Sequence, residues 1–246
     1  MTNSPLHQFK IIKLIPINVG GFDISFTNSS LWMVIVAVTL CVLGHVVTRK
    51  SSLIPSRVQF AYEYVYNFIA DVLKSSLGRE GRAYFPYVFP LFLFVLMSNL
   101  MGLLPYSFTV TSHIIVTFAL AMLVFISATT VGIIKHGTHF FRTFYPAGTP
   151  LFVAPILIPI EIISFLARPV SLAVRLFANM VAGHVMIKIF AGFVGMLLKS
   201  PLAVISILPL LLNTTLTGFE IMIALLQAYV FTILTCIYLN DALSLH

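Results

Sequence analysis

Charge is scarce in this chain. Of its 246 residues only 9% are Asp, Glu, Lys or Arg, and just seven are acidic, against roughly 25% charged residues in a soluble domain. Cysteine is limited to Cys41 and Cys236. Both lie inside apolar runs, which excludes a disulfide framework and leaves two small buried hydrophobes. No GxxxxGK[ST] loop occurs, so no nucleotide site of that kind is encoded. The first 30 residues hold Lys10, Lys13 and Asp23 but no compact apolar core with a small-residue cleavage site, so no removable signal peptide is expected. The net charge of +7 comes without a basic run or a stacking platform, which leaves nucleic acid out of the expected partners.

What is abundant is apolar surface. The chain is 59% hydrophobic with a mean hydropathy of +1.05, the composition of a polytopic all-α membrane protein. One membrane domain, 1–246, is expected, opening with an outer-side segment, 1–30. A first span over 31–48 is followed by Arg49 and Lys50, which place that end on the inner side. His45 reads as an interfacial side chain. After Pro55, Ser56 and Gln59 form a capping-box pair. Val58, Tyr62, Val65, Ile69 and Val72 recur at helical spacing opposite Gln59, Glu63, Asn67, Asp71 and Lys74, predicting an in-plane amphipathic helix over 55–78 that ends at Gly78. Arg79, Glu80 and Arg82 mark a wet loop.

A helical hairpin over 85–136 supplies the second span, Phe85 to Leu104, and the third, Ile114 to Ile134. Pro105 stops one; Lys135, His136, His139 and Arg142 stop the other. The connection PYSFTVTSH carries no Lys or Arg, which agrees with an outer-side position. Asn99, inside the second span, is either an interhelical hydrogen-bond fixer or a pathway residue. His136 and His139 read as loop residues; without a third ligand they make no metal site.

From Pro150 to Lys199 and from Pro201 to Leu239 there is little loop chemistry. If helical, these stretches run about 75 and 58 Å, against a hydrocarbon core of roughly 30 Å. They are therefore broken at Pro155, Pro159, Pro169 or Pro209, or steeply tilted. A tilted hairpin over 150–242, turning at Lys199, Ser200 and Pro201, is the favoured expectation.

Several polar residues fall inside these apolar stretches. Seven residues turn a helix two turns less about 20°, so Glu161, Arg168 and Arg175 share a slowly drifting stripe with Ser164, Ser171 and Asn179 beside it. His184 and Lys188 share another face, and Lys188 is expected to snorkel. Asn213, Glu220 and Gln227 repeat the seven-residue spacing later. Ionisable side chains at bilayer depth cost several kcal/mol unless they face protein or water, so facing stripes of this kind resemble a proton relay. Arg175 stays protonated at any physiological pH; it cannot pass protons, but it can hold a fixed charge that favours an ionised carboxylate and repels a cation. The bland alternative is an Arg175–Glu161 pair, about four turns apart. Glu220 and His184 can exchange protons, while Gln227 and Asn179 can order water or hold Arg175.

The run RPVSLAVRLFANMVAGH at 168–184, with LQAYVFTILTCIYLNDA at 226–242, resembles the signature of the a-subunit (subunit 6) family of rotary F-type ATP synthases. MGLLPYSFTVTSH at 101–113 and SFTNSSLWM at 25–33 are similar to the same family. The resemblance implies a stator subunit beside a ring of c-subunits, conducting protons through two offset half-channels, with a separate head making ATP. It implies that Arg175 faces the ring carboxylate, that Glu220 and His184 line the outer half-channel, and that Asn179 and Gln227 lie near the arginine. It also implies that Glu161 lies toward the inner exit, with Ser171 and Arg168 nearby and Asn99 packed around the outer path. In many bacterial members the His184 position is acidic and that of Glu220 is histidine; here they are exchanged, as in mitochondrial and alphaproteobacterial members.

The implied partners are the c-ring, b-type peripheral-stalk subunits, other membrane-sector subunits, lipid and protons, with no cofactor and no catalytic residue of its own. The expected location is the mitochondrial inner membrane, with the alphaproteobacterial plasma membrane as alternative. The rivals are a secondary transporter, which should show internal repeats that are absent here, and a proton-conducting subunit of a respiratory complex, which would keep more carboxylates and lysines along its spans.

Overall fold

The computed structural model describes residues 10–16, 18–19, 22–23, 25–49, 52, 54–104, 107–137, 140, 152, 154–200 and 203–244. Its helices are α1 (Asn28–Arg49), α2 (Arg57–Leu77), α3 (Gly81–Gly102), α4 (Ile114–His136), α5 (Ala154–Leu197) and α6 (Ile207–Leu243). Five helical stretches, all but α2, are long and apolar enough to cross a membrane. Four short strands precede α1: β1 (Lys13–Ile15) pairs antiparallel with β4 (Phe26–Thr27), and β2 (Asn18–Val19) with β3 (Phe22–Asp23). Contacts divide the chain into two compact units. One comprises Met1–Arg49, Leu93–His113 and Leu176–Ala228; the other Lys50–Phe92, Ile114–Arg175 and Tyr229–His246.

In the first unit, α1 begins where Thr27 Oγ1 accepts from the Ser30 N–H at 3.3 Å and Asn28 Oδ1 from the Ser29 N–H at 2.9 Å, satisfying amides that a helix start leaves open. Asn28 also takes the Ile12 N–H at 3.2 Å, which ties the hairpin to the helix. The core is formed by Val36, Val95, Leu96, Leu176, Met180 and Ala224, all buried. Between α3 and α4 the chain makes a 3-10 turn, Val110–Ser112, whose three residues are buried. The sequence marked this stretch only as a connection without Lys or Arg. Its hydroxyls satisfy partners inside the protein, which makes burial tolerable.

In the second unit, α2 runs Arg57–Leu77 within the 55–78 read from the sequence. Ser56 Oγ accepts from the Gln59 N–H at 3.3 Å, and Gly78, at φ 62°, closes the helix with its N–H on Lys74 O. One expectation fails: Gln59 is buried rather than on the polar face. Its amide donates to Ser52 O at 3.2 Å and to Glu63 Oε1 at 2.8 Å, and its carbonyl accepts from the Ser52 N–H, so it is spent on the preceding segment instead of a reciprocal capping box. Phe85 and Phe89 of α3 pack against Tyr62 and Tyr66 of α2 at centroid distances of 4.5–5.6 Å.

The wet loop before α3 is shorter than expected. Arg79 and Glu80 lie in the turn, but Arg82 is already helical, because Gly81 lets the chain approach Leu73 O to a distance a Cβ would foul at 2.9 Å. His136 is likewise the last residue of α4 and not a loop residue; its Nε2 meets Leu243 O at 3.1 Å, and a polar ring there suits the helix C-terminus. Lys50, Pro105, His139, Arg142, Pro150 and Pro201 lie outside the described residues.

The long helices are unbroken. α5 runs 44 residues with Pro159 and Pro169 inside it, and α6 runs 37. Pro155 and Pro209 fall in first turns, where the missing N–H is not needed. At 1.5 Å per residue the two measure about 66 and 56 Å, so neither stands upright in a bilayer. They turn at Lys199 and Ser200, whose N–H groups bond Met196 O and Leu197 O.

Near the C-terminal end of α4, a Cβ on Gly132 would lie 2.7 Å from the Phe140 ring and 3.4 Å from Ala242. Gly132→Val is expected to lower the stability of the detergent-solubilised chain by about 1–3 kcal/mol, read as a drop in melting midpoint. Gly218→Ala, where a Cβ meets nothing within 4 Å, should leave the midpoint in place.

Candidate functional site

The polar residues of the apolar helices fall into two groups, one in each unit. In the first unit α5 and α6 run antiparallel. His184 on α5 and Glu220 on α6 are 9% and 3% exposed. His184 Nε2 lies 3.7 Å from Glu220 Oε1, too far for a hydrogen bond but within ion-pair range. Both oxygens of Glu220 are buried without a hydrogen-bond partner among the described residues. Such a carboxyl is costly as a structural group and characteristic of one that takes up and hands on a proton. Space for it comes from Gly183, where a Cβ would sit 2.6 Å from Oε1.

Toward the middle of the hairpin, Asn179 Nδ2 donates to Gln227 Oε1 at 2.8 Å, an amide bridge between α5 and α6. Gln227 is 4% exposed and its own amide nitrogen lacks a partner among the described residues. Asn99 is fully buried; its oxygen accepts from Thr111 Oγ1 at 2.9 Å, and its amide points to Ala224 O at 3.5 Å. These are the bonds of a group that joins α3, the 3-10 turn and α6. Lys188 is exposed one turn beyond His184.

The second unit holds Glu161, Arg168, Ser171 and Arg175 on α5. Arg168 Nη1 donates to Asp241 Oδ2 on α6 at 3.0 Å, and its guanidinium lies 5.7 Å from the Phe165 ring and 5.5 Å from that of Tyr238. Ser171 and Arg175 are exposed, and Glu161 is partly so. The Arg175–Glu161 pair allowed by the sequence does not form: neither side chain makes a hydrogen bond or ion pair among the described residues, and the carboxylate that does engage an arginine is Asp241. Distance along the helix explains it: fourteen residues rise about 21 Å, which two side chains on the same stripe do not bridge.

Four residues escaped the sequence reading: Asp241, Gly183, Thr109 and Thr111. Asp241 is the only acidic residue after Glu220, and it stands in the LNDA run, so a partner for one of the α5 arginines could have been sought there. Gly183 stands beside His184 in the AGH triplet. The threonines lie in the outer-side connection, where nothing in their spacing marks them.

The sequence profile of the family described as ATP synthase A chain matches residues 30–240. The chain is 53% identical over 243 residues to the ATP synthase subunit a of Mesorhizobium japonicum, covering 97% of this chain and 96% of that protein. It is 52% identical over 245 residues to the ATP synthase subunit a of Chelativorans sp., covering 99% and 98%.

The Arg168–Asp241 contact is partly exposed, with side chains 34% and 47% accessible. A double-mutant cycle with Arg168→Gln and Asp241→Asn should therefore return a coupling no larger than about 1 kcal/mol in melting free energy. A coupling several times larger would mean the pair is sealed from water.

Proposed function

The chain belongs to the ATP synthase A chain family, and we propose that it carries protons along two half-channels to and from a ring of c-subunits, turning proton flow into rotation. It is a multi-pass, proton-translocating membrane subunit of the F-type synthase. The observation that carries the finer reading is Arg175: midway along a 44-residue membrane helix, its side chain is exposed and unpaired among the described residues. Lipid would reject a bare guanidinium there, at a cost of several kcal/mol. A partner bearing a carboxylate resolves that cost.

The chemistry follows from what each group can do. A proton arriving from the outer side is received by the Glu220–His184 pair, two groups able to pass it between them across the 3.7 Å gap after a small approach. From there it goes to a ring carboxylate. Arg175, always cationic, favours the ionised form of each ring carboxylate as it passes and bars protons from leaking straight through. The Asn179–Gln227 bridge holds α5 to α6 one turn beyond Arg175. After nearly a full turn of the ring the proton leaves past Glu161, with Ser171 and the Arg168–Asp241 pair alongside.

In this reading the chain holds no catalytic residue; ATP chemistry belongs to a separate head. Its partners are the c-ring, b-type stalk subunits, neighbouring membrane-sector subunits and lipid. Its membrane is the bacterial plasma membrane in preference to the mitochondrial inner membrane, since the relatives are bacterial.

Arg175→Ala is expected to abolish ATP-driven proton pumping in membrane vesicles while the complex still assembles; normal coupled pumping at unchanged protein level would rule the mechanism out. Glu220→Gln should slow passive proton flux through vesicles stripped of the catalytic head. Exchanging His184 and Glu220 should cost less than losing either, and a double-mutant cycle on flux without coupling would dissolve the pair.

A further inference from the structure

The 3-10 turn between α3 and α4 reaches the proton-carrying pair through one side chain. Thr109 is 4% exposed, and its Oγ1 lies 3.0 Å from His184 Nε2, the same nitrogen that faces Glu220 Oε1 at 3.7 Å. The hydroxyl also has a second acceptor, Gly102 O, at 3.4 Å. A hydroxyl placed between an imidazole nitrogen and a carbonyl can serve either state of that nitrogen. When Nε2 is bare, the hydroxyl donates to it. When Nε2 carries a proton, the hydroxyl turns its hydrogen to Gly102 O and accepts.

The position of this hydroxyl is fixed from several sides. Ser112 Oγ and the Ser112 N–H both donate to Thr109 O, at 2.6 and 3.2 Å. Thr111 bonds Asn99, and Phe108 stacks on His113 with centroids 5.0 Å apart. Gly102 makes the approach possible: a Cβ there would lie 2.7 Å from Thr109 Cγ2 and 3.0 Å from Oγ1. Glu220 makes no hydrogen bond among the described residues, and Thr109 bonds the imidazole nitrogen that faces it.

We propose that Thr109 is a positioning residue for proton transfer between His184 and Glu220, its hydroxyl holding the imidazole beside the carboxyl in both protonation states of the ring and releasing Nε2 as the proton crosses. The proposal rests on the proton-conducting reading of that pair. Thr109 neither donates a proton to the path nor keeps one; it reverses its hydrogen bond each time the ring changes state.

The test is passive proton flux in vesicles carrying the assembled membrane sector without its catalytic head. Thr109→Val keeps the shape and removes the hydroxyl, and should slow flux roughly three- to tenfold, the factor one hydrogen bond of ordinary net strength supplies. Thr109→Ser restores the hydroxyl and should stay within about twofold of the parent, a rescue that packing alone does not give. In a His184→Gln background Thr109→Val should add no further loss. Parental flux in Thr109→Val at equal complex level, an equal loss for Val and Ser, or the same fold-loss in both backgrounds each overturns the proposal. Should the Val variant fail to assemble, Thr109→Ala removes the same hydroxyl and carries the same expectations. If His184→Gln itself conducts at the parental rate, it is the reading of the pair that fails.

Discussion

The cost of a charge without water or a partner governs this molecule. In hydrocarbon an ionisable side chain must find a counter-charge, a hydrogen-bonding neighbour or a wet surface. The long helices show distinct answers to that demand. Arg168 is matched by Asp241 and two aromatic rings. Glu220 is sunk beside His184 with its oxygens unbonded. Arg175 is turned outward. A matched pair, a buried carboxyl beside an imidazole and a surface cation are three different solutions, all carried on two helices.

Small residues make the arrangement possible. Gly183 and Gly102 are each placed where a side chain would strike a functional group, Glu220 in one case and Thr109 in the other. Neither glycine is needed for an unusual backbone angle, since among the described residues positive φ is confined to Gly78 and Gly137. Their role is volume. Close approach in a membrane protein rests on such residues because lipid gives no hydrophobic drive for helices to associate.

Much of this was legible in the sequence, and the exceptions have physical causes. The spans, the α2 caps and the two long helices follow from apolar run length and from Ser56 and Gly78, which act locally. Arg175, Glu220 and His184 stand out because charge is rare in apolar runs. What sequence could not show is pairing across helices. The Arg175–Glu161 pair was only the bland alternative, and the contact that forms joins Arg168 to Asp241, seventy-three positions away. Gln59 was misassigned because its side chain serves Ser52, behind it in the chain, and no periodicity reports on that. Thr109 was silent for the same reason: its partner is seventy-five residues distant.

The length of α5 has a geometric consequence. A helix of about 66 Å held within a membrane about 45 Å thick, headgroups included, must lean by about 45° or more. The stretch from Glu161 to Lys188 covers about 40 Å of that axis, and at such a lean roughly 28 Å of it is sideways travel. Residues far apart along the chain thus come to differ less in depth than in compass bearing. On the proposed route a proton would board at one bearing and alight at another, and an upright helix of ordinary length offers no such stagger.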